Sequence, residues 1–128
     1  MWYAVVPTGT TADVVVNSAV NMGNGNIIVG TLAGATATPT ATGSTPSTAS
    51  DPLSITIAVP VSGVAVAYVT TGGTVVGAWS NATEDFEFQG NGIGIFDIAH
   101  TTTTGSVVPT YTGTGGNFSC IVAAAWGP

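Results

Sequence analysis

Apolar and polar residues alternate along this chain over short distances. In LSITIAV, residues 53–59, Leu53, Ile55, Ile57 and Val59 alternate with Ser54, Thr56 and Ala58. That is the period-2 pattern of a strand with one buried face, and Pro60 ends it. The run FSCIVAAAW, residues 118–126, differs. Phe118, Cys120, Val122, Ala124 and Trp126 fall on one face, and Ile121, Ala123 and Ala125 fall on the other, so both faces are apolar. Such a strand belongs in the middle of a sheet. Its alanines predict that another layer or another subunit approaches closely.

Eight further runs read as strands: residues 2–6, 12–18, 26–32, 63–70, 74–80, 84–89, 93–101 and 107–112. Turn-forming residues separate several of them, at Asn24-Gly25, Gly72-Gly73, Gly90-Asn91-Gly92 and residues 113–117. These predict four hairpins, 12–18 with 26–32, 63–70 with 74–80, 84–89 with 93–101, and 107–112 with 118–126. Pro109 lacks an N–H and predicts an edge or a bulge. No window has helical periodicity. The expected fold is all-β, an antiparallel β-sandwich of jelly-roll or Ig-like Greek-key type with nine or ten short strands and no significant helix.

Residues 33–52, rich in Thr, Ser, Pro and Gly, offer almost no large side chain as an anchor, so a long surface loop is expected. Its threonines could extend it as an irregular strand, while its prolines exclude a central one. The whole of 1–128 reads as one domain, of a size that buries about two-thirds of the surface exposed by the unfolded chain. Strand pattern beginning at Trp2 suggests a module of a longer protein, or a first strand ordered by a neighbour. The opening residues lack the basic and apolar regions of a secretory leader.

Charge changes the picture most. Six acids, one histidine and no lysine or arginine give a formal net charge of −6. Lys and Arg ion pairs are impossible, so cohesion must come from apolar burial and strand hydrogen bonds. A nucleic-acid partner is not expected, because phosphates need cations to neutralise them. A membrane partner is not expected either. The charge repels anionic lipid, and no window reaches the roughly 18 consecutive apolar residues of a spanning helix. Trypsin-like proteases find no site.

The candidate chemistry is sparse. Glu84, Asp85 and Glu87, with Asn81 before and Asn91 after, gather oxygen ligands on one turn and strand, so they are candidates for a weakly bound calcium ion. Their spacing matches no recognised calcium loop, and the same acids suit a solvated strand end that discourages edge pairing or a docking patch for a basic partner. Asp97 and His100 are three apart, which on a strand puts them on opposite faces and argues against a dyad. No Gly-x-Ser-x-Gly elbow surrounds Ser106 or Ser119. His100 is expected to bond backbone or one of the threonines at 101–104, and the lone Cys120 to be a small core residue. Trp2, Tyr3, Tyr68, Trp79, Tyr111 and Trp126 could stack on a sugar, but their apolar neighbours favour packing. Sequons at Asn81 and Asn117 matter only on a eukaryotic secretory route. Neither catalytic residues nor a cofactor are expected.

Four segments carry a resemblance: VPTGTTADVVV, GVAVAYVTTGG, GAWSNATEDFE and VPTYTGTGGNFSCIVAAAW, between Val6 and Trp126. Together they resemble a β-sandwich module of tailed-bacteriophage structural proteins, of capsid decoration, head-fibre or tail type. The resemblance implies a non-enzymatic virion protein that forms homo-oligomers and attaches to the capsid or another virion protein. Its alternative is a receptor- or glycan-binding module of a tail fibre or surface adhesin, using residues 33–52 and a Trp or Tyr. The family brings no catalytic residue to carry over. In its members additional N-terminal strands tend to precede this pattern, whereas this chain opens at Trp2.

Overall fold

A computed structural model describes residue 15 and residues 28–48, 52–72, 77–90, 94–113 and 119–128. Among them are ten strands and no helix: β1 (Ala41–Thr48), β2 (Leu53–Ser54), β3 (Ile57–Val59), β4 (Val64–Thr71), β5 (Ala78–Ser80), β6 (Thr83–Gly90), β7 (Gly94–Thr101), β8 (Gly105–Val107), β9 (Thr110–Thr112) and β10 (Ser119–Trp126). Five of them, each eight residues long, form an antiparallel sheet in the order β1-β10-β4-β7-β6. As its two apolar faces predict, β10 is interior, paired with β1 on one side and β4 on the other.

The short strands make the second layer of a β-sandwich. β2 and β3 pair with β9 and β8 in one continuous register, Leu53 opposite Tyr111 and Ile57 opposite Val107, and β5 adds to β9. What divides this ladder is Pro109, which has no N–H to give; its carbonyl still accepts a bond from the Ile55 N–H at 3.2 Å. Pro109 thus sits at an interruption rather than on an edge strand. The run 53–59 is accordingly two strands.

Between the layers lies the core. The sheet contributes Ala65, Ala67, Val69, Ile121, Ala123 and Ala125, and the second layer contributes Leu53, Ile55, Ile57, Val59, Val107 and Tyr111. Small alanines on the sheet side bring the layers close, as expected. Gly43 of β1 extends this, because a Cβ there would lie 2.9 Å from Ile55 Cδ1.

Several local expectations need correction. The segment expected as a loop, residues 33–52, contains the edge strand β1, irregular between Thr45 and Thr48 where Pro46 falls. Residues 28–32, within an expected strand, carry none. Residues 2–6 and 12–18 lie outside the described residues except Val15. Among the described residues, the β6–β7 hairpin is the one that forms as predicted. β4 pairs with β10 and β7 rather than with β5, and β9 with β2 and β5 rather than with β10. In both cases the chain crosses to the other layer instead of turning back, so each apolar face meets a non-local partner.

Candidate functional site

One irregularity in β6 organises its chemistry. Thr83 and Glu84 face His100 and Ala99, but Phe86 faces Ile98 and Glu87 faces Asp97, so Asp85 is an extra residue, a β-bulge. Strict alternation would put Glu84 and Glu87 on opposite faces. The bulge puts both on the inner side, beside partners Ala99 and Asp97, and sends Asp85 outward with Phe86 and Phe88. β6 ends the sheet order, where a bulge and acidic side chains blunt a strand edge.

On the outer face Asp85 Oδ1 lies 2.7 Å from His100 Nδ1, with both side chains about two-fifths exposed. His100 therefore pairs with a carboxylate rather than with backbone or a neighbouring threonine. Spacing alone could not show this, because the partner is on the next strand and reaches outward only through the bulge. A shallow open depression beside His100 is lined by Asn81, Thr83 and Thr101 to Thr103. His100 is its one strongly titratable side chain. Ser119 is buried in β10 and Ser106 is exposed in β8, and neither bonds to His100.

On the inner face Asp97 is fully buried. Its Oδ1 accepts a hydrogen bond from Trp79 Nε1 at 2.8 Å, linking the two layers, while Oδ2 has no partner. Burial pushes this carboxyl up to about 6; the Trp79 bond opposes the rise, and the charges of Glu84 and Glu87 add to it. Glu87 is also raised, by desolvation and then by Glu84, and its Oε2 is a second buried oxygen without a partner. Trp79 meets Tyr111 edge-on, with ring centroids 5.4 Å apart. The Tyr111 hydroxyl accepts the Gly77 N–H at 2.9 Å, and burial pushes its pKa up to about 12. Asp97 and His100 do occupy opposite faces, as their spacing predicts.

The candidate calcium ligands are not brought together into one site. Glu84 and Glu87 face inward, Asp85 is engaged by His100 outside, and Asn91 lies outside the described residues. Among the described residues no group of three or more His, Cys, Asp or Glu side chains could hold a metal ion. Cys120 is half-buried on the outer face rather than in the core. Trp126 and Tyr111 are buried and Trp79 and Tyr68 partly so, which leaves no stacking platform among them; Trp2 and Tyr3 lie outside the described residues.

Sequence reading missed the outer face of the five-stranded sheet. Cross-strand rows run Phe86-Ile98-Tyr68-Val122-Ser44 and Phe88-Phe96-Thr70-Cys120. Phe86 and Phe88 are 50% and 44% exposed. Alternation of EDFEFQ was the available signal, but it leaves open which face is solvated. No family model matches the sequence, and no curated protein or solved structure matches it.

Proposed function

We propose that this chain is a non-enzymatic structural component of a virion, a capsid decoration or head-fibre protein that oligomerises and attaches to the capsid. The observation that carries this reading is the distribution of charge. Of the acids placed by the structure, Glu84, Glu87 and Asp97 lie on the inner side of the sheet, and the outer face holds only Asp85, hydrogen-bonded to His100. A broad, largely apolar face with one hydrogen-bonded acid suits association with protein, since few charged groups need to be desolvated. Among the described residues no nucleophile, base and acid converge in a cleft, and the sequence resemblance supplies the virion setting.

Co-sedimentation with capsids that lack the protein tests this. Saturable binding at a fixed number of copies per capsid is expected. Folded protein that stays in the supernatant at every concentration overturns the reading.

A further inference from the structure

The outer face of the five-stranded sheet has relief as well as apolarity. At the β6–β7 end, Phe86, Phe88 and Phe96 form a ridge. At the β1–β10 end the side chains are small, and Thr42, Ser44, Val122 and Ala124 line a trough of about 390 Å³. Ridge and trough lie at opposite edges of one face, and the row from Phe86 leads across to Ser44.

We propose that this face binds a second copy of the same chain, the aromatic ridge of each copy seated in the trough of the other. The inference rests on the proposed reading for its expectation that copies associate, and it names the surface. A two-fold axis running along the strands places β6 of one copy over β1 and β10 of its partner at both edges, which is the self-complementarity an isologous interface requires. The sheets then pack face to face, with strands nearly aligned, about 10 Å apart.

Size and charge agree with this occupant. Five strands about 4.8 Å apart and eight residues long span roughly 24 by 27 Å; the corner at Ala124 and Trp126 is already buried within the chain, so two copies bury at most about 1,300 Å², at the lower end of stable specific interfaces. Two chains of net charge −6 repel when they meet at random. Among the described residues this face carries one acid, Asp85, hydrogen-bonded to His100, so the copies meet where few described carboxylates face one another. A basic partner would find no unmatched carboxylate among the described outer-face residues.

Sedimentation velocity of the full chain across concentration tests the proposal, with Phe86→Glu on the ridge, Ser44→Arg in the trough, and Val61→Glu in the turn between β3 and β4 as control. Wild type and control should be dimers. Each face variant should be a monomer at least tenfold above the wild-type dissociation concentration, with an unchanged circular dichroism spectrum. Because Ser44 is exposed on an edge strand, its variant keeps the test valid if Phe86→Glu fails to fold. Face variants that remain dimeric overturn the proposal, as does a wild-type monomer at all concentrations. Either result leaves capsid binding to be judged separately by co-sedimentation. Hydroxyl-radical footprinting should show protection of Phe86 and Phe88 that grows with concentration; protection equal in the monomer would mean that this chain covers its own face, and would also overturn it.

Discussion

Asp97 is the residue at which this fold departs most from ordinary practice. A fully buried carboxylate normally has a cation for company, and this chain has no lysine or arginine to supply one. Two buried oxygens, Asp97 Oδ2 and Glu87 Oε2, are left without partners on directly paired residues. Asp97 titrates near 6 in the folded protein and 3.8 is its ordinary value, so folding favours the protonated acid. Stability is then highest below about pH 4, falls as pH rises between 4 and 6, and stays low above that. Two units correspond to roughly 3 kcal/mol at most. Urea denaturation at pH 5 and pH 8 should show the greater stability at pH 5. Asp97→Asn should flatten that slope and raise stability at pH 8 by about 1–3 kcal/mol, keeping an acceptor for Trp79 and supplying a donor beside Glu87. The neighbouring Tyr111→Phe should cost about 1–2 kcal/mol by thermal denaturation, since the Gly77 N–H loses its acceptor. Gly77 itself admits no side chain, because a Cβ would fall 2.2 Å from the Tyr111 ring.

At the scale of strands and layers, close approach depends on small residues facing large ones. Gly43→Val in β1 should lower stability by about 1–3 kcal/mol in urea denaturation, because the added methyls meet Ile55 and Thr56. Such elements were partly legible in sequence. The interior position of β10 follows from its two apolar faces, the β6–β7 hairpin from Gly90-Asn91-Gly92, and the bar on a central strand within 33–52 from its prolines. Pairing was less legible. Gly72-Gly73 and residues 113–117 have turn chemistry, yet the strands they join separate into different layers, a choice made by non-local burial. The bulge at Asp85 was not legible either, since alternation counts cannot show where a residue is looped out. That one displacement separates Asp85 from the other two candidate calcium ligands, and it creates the His100 pair.

The described residues form a sandwich whose broad outer face carries one acid, Asp85. Among the described residues the one carboxylate–imidazole contact, Asp85–His100, is about two-fifths exposed, so added salt has little attraction to screen. Raising sodium chloride from about 0.05 to 0.5 M should leave the denaturation midpoint unchanged or slightly higher, because only repulsion among carboxylates is relieved. A clear loss of stability would reveal attractive pairs outside this account. The most direct measurement of attachment and pairing is an electron cryo-microscopy map of the parent particle. It should show two-layer β density on the capsid in paired copies, with the β1-β10-β4-β7-β6 sheets face to face and Phe86 and Phe88 inside the contact between copies. Copies absent from the particle, or bound with the aromatic face open to solvent, would contradict it.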